Sequence, residues 1–189
     1  MSYPTSPAFN GINLQSDSPS LMSSAVNGRM QSRKIGGQKW AFTASYAPMT
    51  RAEFNPVFAF VVSQQGSNGI FTIVPTEISS TSGTASGTVS TSATAKGLAS
   101  VTVSGLTGVL KAGDVIKFSG HDKVYMLTAD RSGNGAMTFT PPLIEAVGTE
   151  TVTYDSVPFT VRLANDVQSY KLGAGMFFTY EVDLVEALS

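Results

Sequence analysis

The chain contains one histidine, His121, and it stands directly before an acid, Asp122. A histidine oriented by a carboxylate can act as a general base, but catalysis also needs a nucleophile and an oxyanion site from separate parts of the chain. Adjacent residues on a tight turn cannot orient each other in that way. Gly120 precedes the pair, and alternating apolar segments lie on both sides of it. We therefore predict a β-hairpin turn here and no catalytic site.

Three acidic residues near the C-terminus, Glu181, Asp183 and Glu186, are a second candidate for acid–base chemistry. Paired carboxylates are the catalytic groups of glycoside hydrolases, and residues two apart lie on the same face of a strand. Such a row is also typical of a strand face that meets solvent or another subunit. We favour this second interpretation, because no nucleophile–base arrangement accompanies the acids.

Other kinds of site lack their sequence motifs. The chain has no cysteine, which rules out disulfides, thiol nucleophiles and cysteine-based metal sites. The glycine-rich stretch "GGQKW" lacks the spacer and the Ser/Thr of a phosphate-binding loop. No apolar run approaches the roughly 20 residues of a membrane span, and the N-terminus does not have the pattern of a secretory signal. We expect no enzyme activity, no cofactor, no metal, no membrane contact, and synthesis in the cytoplasm.

Charge is scarce and unevenly distributed. Only 13% of residues are charged and the net charge is −1, so we expect no specific binding of nucleic acid. Such a surface suits a protein whose faces are covered by neighbouring copies, although a secreted β-protein rich in Ser and Thr has a similar composition. Basic residues are concentrated near the N-terminus and acidic residues near the C-terminus. In a ring, the basic flank of one copy can meet the acidic flank of the next, whereas in a monomer the two ends can pair with each other. The candidate interface residues are Arg29, Arg33, Lys34, Lys39, Glu181, Asp183 and Glu186.

The N-terminal part of the chain predicts an arm, a strand, a helix and a second strand. Residues 1–32 have little periodicity, and we expect an extended arm. Aromatic and small residues then alternate in "KWAFTASY", as in a strand. Thr50 and Glu53 have the spacing of a helix capping box, and Pro56 indicates either an irregular first turn or a cap at Asn55. The apolar stripe of this helix consists of Phe54, Val57, Phe58 and Val61.

The C-terminal part predicts a small domain inserted into a larger one. Residues 79–97 consist almost entirely of Ser, Thr, Gly and Ala, and we predict a linker, with an extra edge strand at Val89 as the alternative. Five short alternating segments in residues 98–154 predict a small β-barrel. Residues 155–189 return to longer strands, whose natural partner is the Trp40 strand. The fold class is therefore mainly β, with a split domain formed by residues 33–78 and 155–189.

Three segments carry a resemblance to a known family. The stretch "IGGQKWAFTASYAPMTRAEFNPVFAFVVSQQGSNGIFTIVP" resembles the N-terminal half of phage tail proteins of the distal-tail and baseplate-tube type. The stretch "VPFTVRLANDVQSYKLGAGMFFTYEVDLVEAL" resembles the closing strand of the same domain. The middle stretch "GLTGVLKAGDVIKFSGHDKVYMLTADRSGNGAMTFTPPL" is similar to small β-barrels inserted into phage capsid and tail proteins. The resemblance covers most of residues 33–188, and its motifs are structural.

The resemblance implies a tail-tube-like split β-barrel or sandwich, braced by one helix, that assembles as a hexameric ring at the distal end of the tail tube. The implied partners are the tail tube protein, the baseplate hub and other tail proteins, and the implied location is the virion tail. Two alternatives stay open: a carbohydrate- or host-surface-binding module of a virion, and a tail terminator or head–tail completion ring. A glycan-binding barrel needs exposed aromatic residues, whereas the alternation of its aromatics predicts internal positions for Phe118, Tyr125, Phe139 and Tyr154.

Overall fold

A computed structural model describes residues 1–188 and shows a mainly β protein with a closed six-stranded barrel, which confirms the predicted fold class. The chain forms two compact units. We call them the sheet unit (Pro4–Gly69 and Arg162–Glu186) and the barrel unit (Met1–Tyr3, Ile70–Val161 and residues 187–188). In chain order the elements are β1 (Gly11–Asp17), β2 (Ser20–Ser24), β3 (Met30–Lys34), β4 (Lys39–Ser45), α1 (Arg51–Ser63), a 3-10 turn (Gly66–Asn68), β5 (Phe71–Ile73), α2 (Thr76–Ser79), β6 (Val89–Thr91), β7 (Ser100–Ser104), β8 (Val109–Leu110), β9 (Val115–Phe118), β10 (Val124–Leu127), β11 (Arg131–Ser132), β12 (Gly135–Thr140), β13 (Thr151–Thr153), β14 (Phe159–Leu163), β15 (Tyr170–Leu172), a second 3-10 turn (Ala174–Met176) and β16 (Phe178–Glu186).

The sheet unit is built on β4, which pairs antiparallel with β1 on one side and with β16 on the other. Ala44 lies opposite Ile12 in β1 and opposite Val182 in β16. The expected pairing of the Trp40 strand with the final strand is therefore present. Residues 1–32, predicted as an extended arm, instead contain β1, β2 and part of β3, because β1 finds a partner edge on β4.

The long helix α1 packs its apolar stripe inside the sheet unit. The carboxylate of Glu53 accepts hydrogen bonds from the backbone N–H (2.9 Å) and the hydroxyl (2.8 Å) of Thr50, so the predicted cap is confirmed. The cap is not at Asn55, and the helix accommodates Pro56 in its interior, where a proline costs about 3 kcal/mol. Burial of the stripe offsets this cost, and the ring of Phe54 stacks on Phe178 with 4.7 Å between centroids.

The barrel unit contains a closed barrel with the strand order β10-β12-β7-β6-β13-β9. All five strands expected within residues 98–154 belong to it. The sixth is β6, which lies in the Ser/Thr/Gly-rich residues 79–97 and pairs with both β7 and β13. The side chain of Val89 is fully buried. A strand of small residues suffices at this position, because the neighbouring strands supply the large side chains of the core. The other predicted domain boundaries stay predictions.

The buried carboxylate of Asp114 ties the beginning of residues 79–97 to the barrel. Its Oδ1 accepts hydrogen bonds from the backbone N–H and the hydroxyl of Ser82, at 2.9 and 2.7 Å. Its Oδ2 accepts from the Thr81 hydroxyl at 2.7 Å and from the Lys111 backbone N–H at 2.9 Å. Burial raises the pKa of Asp114, but the hydrogen bonds from Ser82, Thr81 and Lys111 together outweigh it, so the pKa lies below its usual value.

Candidate assembly surfaces

His121 lies in the turn between β9 and β10, as predicted, but its side chain is buried, with only 5% exposed. Its Nδ1 lies 3.1 Å from the hydroxyl of Tyr125, and its ring packs edge-on against Phe118. The neighbouring Asp122 accepts a hydrogen bond from the Thr160 hydroxyl at 3.4 Å. The imidazole is thus part of the aromatic packing of the barrel unit. No periodic pattern in the sequence predicts this burial, since turn residues are usually exposed.

The three acidic residues of β16 have different environments. Glu186 is 2% exposed, and its carboxylate accepts a hydrogen bond from the Trp40 backbone N–H at 3.1 Å. Asp183 accepts hydrogen bonds from the Thr43 hydroxyl and the Asn165 side-chain amide, at 2.9 and 3.3 Å. Glu181 is exposed, and its carboxylate has no hydrogen-bond partner among residues 1–188.

The prediction of Glu186 as an interface residue is therefore corrected. It lies on the buried face of β16, together with Val182 and Leu184, whereas Glu181 and Asp183 lie on the other face. Its carboxylate fixes the end of β4 in its own chain and presents no surface to another copy. The reason is its position in the strand: the residue is an odd number of positions away from Glu181, and side chains alternate between faces.

The hairpin formed by β2 and β3 is exposed along its whole length. All residues of both strands are exposed, and Leu21 pairs with Arg33 while Met22 pairs with Ser32. An isolated two-stranded hairpin is at best marginally stable in water. This one also presents large apolar side chains to solvent; they are Leu21, Met22, Val26, Met30 and Ile35. We call residues 20–35 the projecting hairpin.

The projecting hairpin also carries the predicted basic flank. Arg29, Arg33 and Lys34 are exposed, and their charged groups make no hydrogen bond or ion pair within the described part of the chain. Lys39, the first residue of β4, is exposed as well. No acidic residue occurs between Ser20 and Lys34. The hairpin therefore combines positive charge with exposed apolar surface.

A groove of about 490 Å³ lies on the sheet unit, and its lining residues include three tyrosines and two acidic residues. The residues that matter for its chemistry are Tyr46, Tyr170, Lys171, Tyr180, Glu181 and Asp183. We call it the tyrosine groove. Tyr170 is about half exposed, and its ring packs on Phe54 and Phe58 at 4.8 and 5.1 Å between centroids. The Tyr180 hydroxyl donates a hydrogen bond of 2.8 Å to Gln168, so two of the rings are fixed by their own neighbours.

Exposed apolar residues continue beside the tyrosine groove in the segment that contains β15. Tyr170 and Lys171 belong to both the groove and this strand. Within residues 1–188, β15 pairs only with β16, so its outer edge is open. The exposed apolar side chains of the segment are Val167, Leu172, Met176 and Phe177. The sheet unit thus has two exposed apolar regions that differ in charge.

The projecting hairpin and the tyrosine groove lie at opposite ends of the β1–β4–β16 sheet. The hairpin leaves β1 after Asp17 and returns at Lys39, and these two residues are paired. At the other end, Ser45 pairs with Gly11 and with Glu181, and Ser45 lines the groove. At 3.3 Å per residue, the two ends of β4 are about 20 Å apart.

The barrel aromatics are largely internal, as predicted. Phe118, Tyr125 and Phe139 are at most 1% exposed. Tyr154 is half-buried and lines a second groove, of about 470 Å³, on the barrel unit. Its hydroxyl donates a hydrogen bond of 2.7 Å to the carbonyl of Gly87. In the part of the chain that the structure describes, no group of three or more His, Cys, Asp or Glu could hold a metal ion, and no helix is long and apolar enough to cross a membrane.

Comparison with known proteins gives two matches. Residues 63–157, half of the chain, match a family model described as "Distal tail protein pb9, B domain". This range contains all six barrel strands. Distal tail protein pb9 of Escherichia phage T5 is 24% identical over 163 residues, and the alignment covers 83% of this chain and 80% of the T5 protein.

Proposed function

Because the chain belongs to the distal tail protein pb9 B-domain family, it is a phage tail structural protein, and we propose that it forms a homo-oligomeric ring at the distal end of the tail tube. In this position the ring joins the tube to the baseplate hub and to peripheral baseplate proteins. Its location is the virion tail, after synthesis in the host cytoplasm. The resemblance to tail-tube proteins favours six copies, a hexamer, and a structural role without enzyme activity.

The observation that carries this proposal is the exposure of the projecting hairpin. A hairpin with solvent on both faces gains little free energy from burial of its side chains. Contact with another chain removes Leu21, Met22 and Met30 from water and covers the open strand edges. Low overall charge supports the same conclusion, since only 13% of the residues are charged. The hairpin is therefore suited to assembly.

We propose that the ring interface places basic residues of one copy against acidic residues of the next. The basic set stays as predicted from the sequence and consists of Arg29, Arg33, Lys34 and Lys39. The acidic set is reduced to Glu181 and Asp183, because Glu186 is bonded inside its own chain. Charge complementarity of this kind mainly sets the register and the rate of association, while the apolar residues supply affinity.

Native mass spectrometry of the purified chain tests the ring. We expect a dominant species with six times the 19.8 kDa mass of one chain. The matched control is a chain in which residues 20–34 are replaced by a short turn, which should remain folded and monomeric. A wild-type chain that is monomeric at every concentration would contradict the ring. Antibody labelling of virions then distinguishes the distal tube end from a tail terminator or a head–tail completion ring.

A second candidate function is carbohydrate binding by the barrel unit. The groove beside Tyr154 favours it, because an aromatic ring there adjoins polar side chains, including Thr153 and Asp155. Binding to a glycan array, abolished by Tyr154→Ala and kept by Tyr125→Phe, would support this function. The absence of binding by both the wild-type ring and the wild-type monomer would exclude it.

A further inference from the structure

We propose that Arg29 of one copy pairs with the carboxylate of Glu181 in the tyrosine groove of the next copy. This inference rests on the proposed assembly and specifies which two surfaces meet. The partner is a second copy of this chain. The contact is head to tail, because the hairpin and the groove are different surfaces of the same subunit.

The groove has the chemistry that recognises a guanidinium group. A carboxylate accepts two parallel hydrogen bonds from the planar fork of arginine. Glu181 is exposed and has no hydrogen-bond partner in the described chain, so both of its oxygens are available. Lysine cannot make the same pair of bonds.

Arg29 is the cation placed to enter a groove, because it stands at the tip of the projecting hairpin. The backbone N–H of Ala25 donates to the carbonyl of Arg29 at 2.9 Å and closes the turn. Gly28 has a φ of +79°, which the turn requires and which other residues rarely adopt. Arg33 lies towards the base of the hairpin. Val26, also at the tip, is fully exposed and can contact the apolar residues beside the groove.

The hairpin and groove of a single chain cannot satisfy each other. They lie at opposite ends of β4, about 20 Å apart, as the pairs Asp17–Lys39 and Gly11–Ser45 show. All strand residues of the hairpin are exposed, so it does not fold back onto its own sheet. A neighbouring copy, in contrast, can offer the groove end of its sheet to the hairpin end of the first.

The local charges favour an incoming cation. The groove contains Glu181 and Asp183 against Lys171, so its net charge is −1. Asp183 already accepts two hydrogen bonds from its own chain, which leaves Glu181 as the principal partner of Arg29. The side chain of Lys171 makes no hydrogen bond or ion pair among residues 1–188. It is therefore free to turn towards solvent when the guanidinium enters.

Disulfide trapping tests the contact directly, because the chain has no cysteine of its own. Purified Arg29→Cys and Glu181→Cys chains are mixed and exposed to a mild oxidant. We expect a covalent dimer from the mixture and none from either chain alone. A chain that carries both substitutions should give a ladder of covalent oligomers. Lys96→Cys mixed with Glu181→Cys is the matched control, since Lys96 is an exposed cation in the barrel unit, and it should remain uncrosslinked.

Charge reversal supplies the energetic test. We expect Arg29→Glu and Glu181→Arg each to lower the association constant about tenfold or more, because each reversal opposes like charges across the interface. The double variant should recover most of the loss. Arg29→Lys should be intermediate, and Lys96→Glu should have no effect. Circular dichroism of each variant verifies that the monomer is folded.

The outcomes separate this inference from the proposed ring. A wild-type chain that forms hexamers, together with Arg29→Glu hexamers of equal stability and no disulfide trapping, would overturn the groove contact and leave the ring standing. A wild-type chain that never assembles would overturn both. Disulfide trapping and recovery in the double variant would establish the contact.

Discussion

The substitution Asp114→Asn should release the beginning of residues 79–97 from the barrel while leaving the shape of the side chain unchanged. In the wild type, each carboxylate oxygen accepts one backbone N–H, from Ser82 and from Lys111. An asparagine amide offers only one oxygen, and its NH₂ group cannot accept a hydrogen bond. Whichever way the amide is turned, one of the two backbone N–H groups is left without its acceptor.

The magnitude follows from the hydrogen bonds lost. A hydrogen bond to a charged group contributes about 1.5–3 kcal/mol, and leaving a buried donor unpaired carries a comparable cost. The Thr81 hydroxyl can rotate and accept from the new NH₂ group, so it adds little to the loss. At 1.4 kcal/mol for each factor of ten, local opening of this loop should become about 10- to 150-fold more frequent in the variant.

Amide hydrogen exchange measures this opening residue by residue, and it does not require the two units to unfold together. We expect lower protection factors at Ser82 and Lys111 in the Asp114→Asn chain at pH 7. Asp130→Asn is the matched control. Asp130 accepts a hydrogen bond from the Ala112 backbone N–H and forms an ion pair with Lys111, but its side chain is half exposed. Its effect should be much smaller. Equal protection in Asp114→Asn and wild-type chains would refute the reasoning.

The effect of the Asp114→Asn substitution should also depend on pH. The pKa of Asp114 is lowered in the folded state. Its contribution to stability is therefore present above the unfolded value of about 3.9 and is lost as the pH falls through the folded pKa. The difference in protection between the wild type and Asp114→Asn should accordingly be largest near neutral pH and shrink below about pH 4. A difference that stays constant into acid would show that the carboxylate charge is not responsible.

Three further substitutions test the packing. Gly83→Ala should destabilise the barrel unit by about 1–3 kcal/mol in urea unfolding, because the new Cβ would clash with the carbonyl oxygen of Val109. Gly148→Ala is the control and should be neutral, because a Cβ at Gly148 would meet no atom within 4 Å. Phe54→Ala should lower the urea midpoint reported by the single tryptophan, with a loss of about 3–5 kcal/mol; an unchanged midpoint would contradict the observed burial. His121→Ala should leave the ring mass in native mass spectrometry unchanged, and loss of the ring from a folded chain would reopen the question of a functional site there.

Local periodicity was sufficient to predict β4, α1 and five of the six barrel strands. The alternation around Trp40 corresponds to β4, and the spacing of Thr50 and Glu53 corresponds to the cap of α1. The five alternating segments in residues 98–154 are all barrel strands. In each case the signal lies within a dozen residues, and burial of one face agrees with it.

Tertiary pairing decided the elements that the sequence did not reveal. The strand β6 consists of small residues and has no alternating pattern of its own, yet both of its edges are paired in the barrel. The burial of His121 depends on Tyr125 and Phe118, and turn composition says nothing about these contacts. Glu186 is a different case, because the alternation along β16 already places it on the face of Val182 and Leu184, and the error was to group it with Glu181 and Asp183.

The two units differ in whether they have unpaired strand edges to which another chain could add a strand. In the barrel unit the six strands close on one another, so strand addition to the barrel has no free edge to use. In the sheet unit, β1, β15 and the projecting hairpin each have an unpaired side within the described chain. Open edges with exposed apolar residues are an aggregation hazard unless a specific partner covers them. In the proposed ring, strand addition can therefore use the edges of the sheet unit, whereas the closed barrel offers only loops and side chains to a partner.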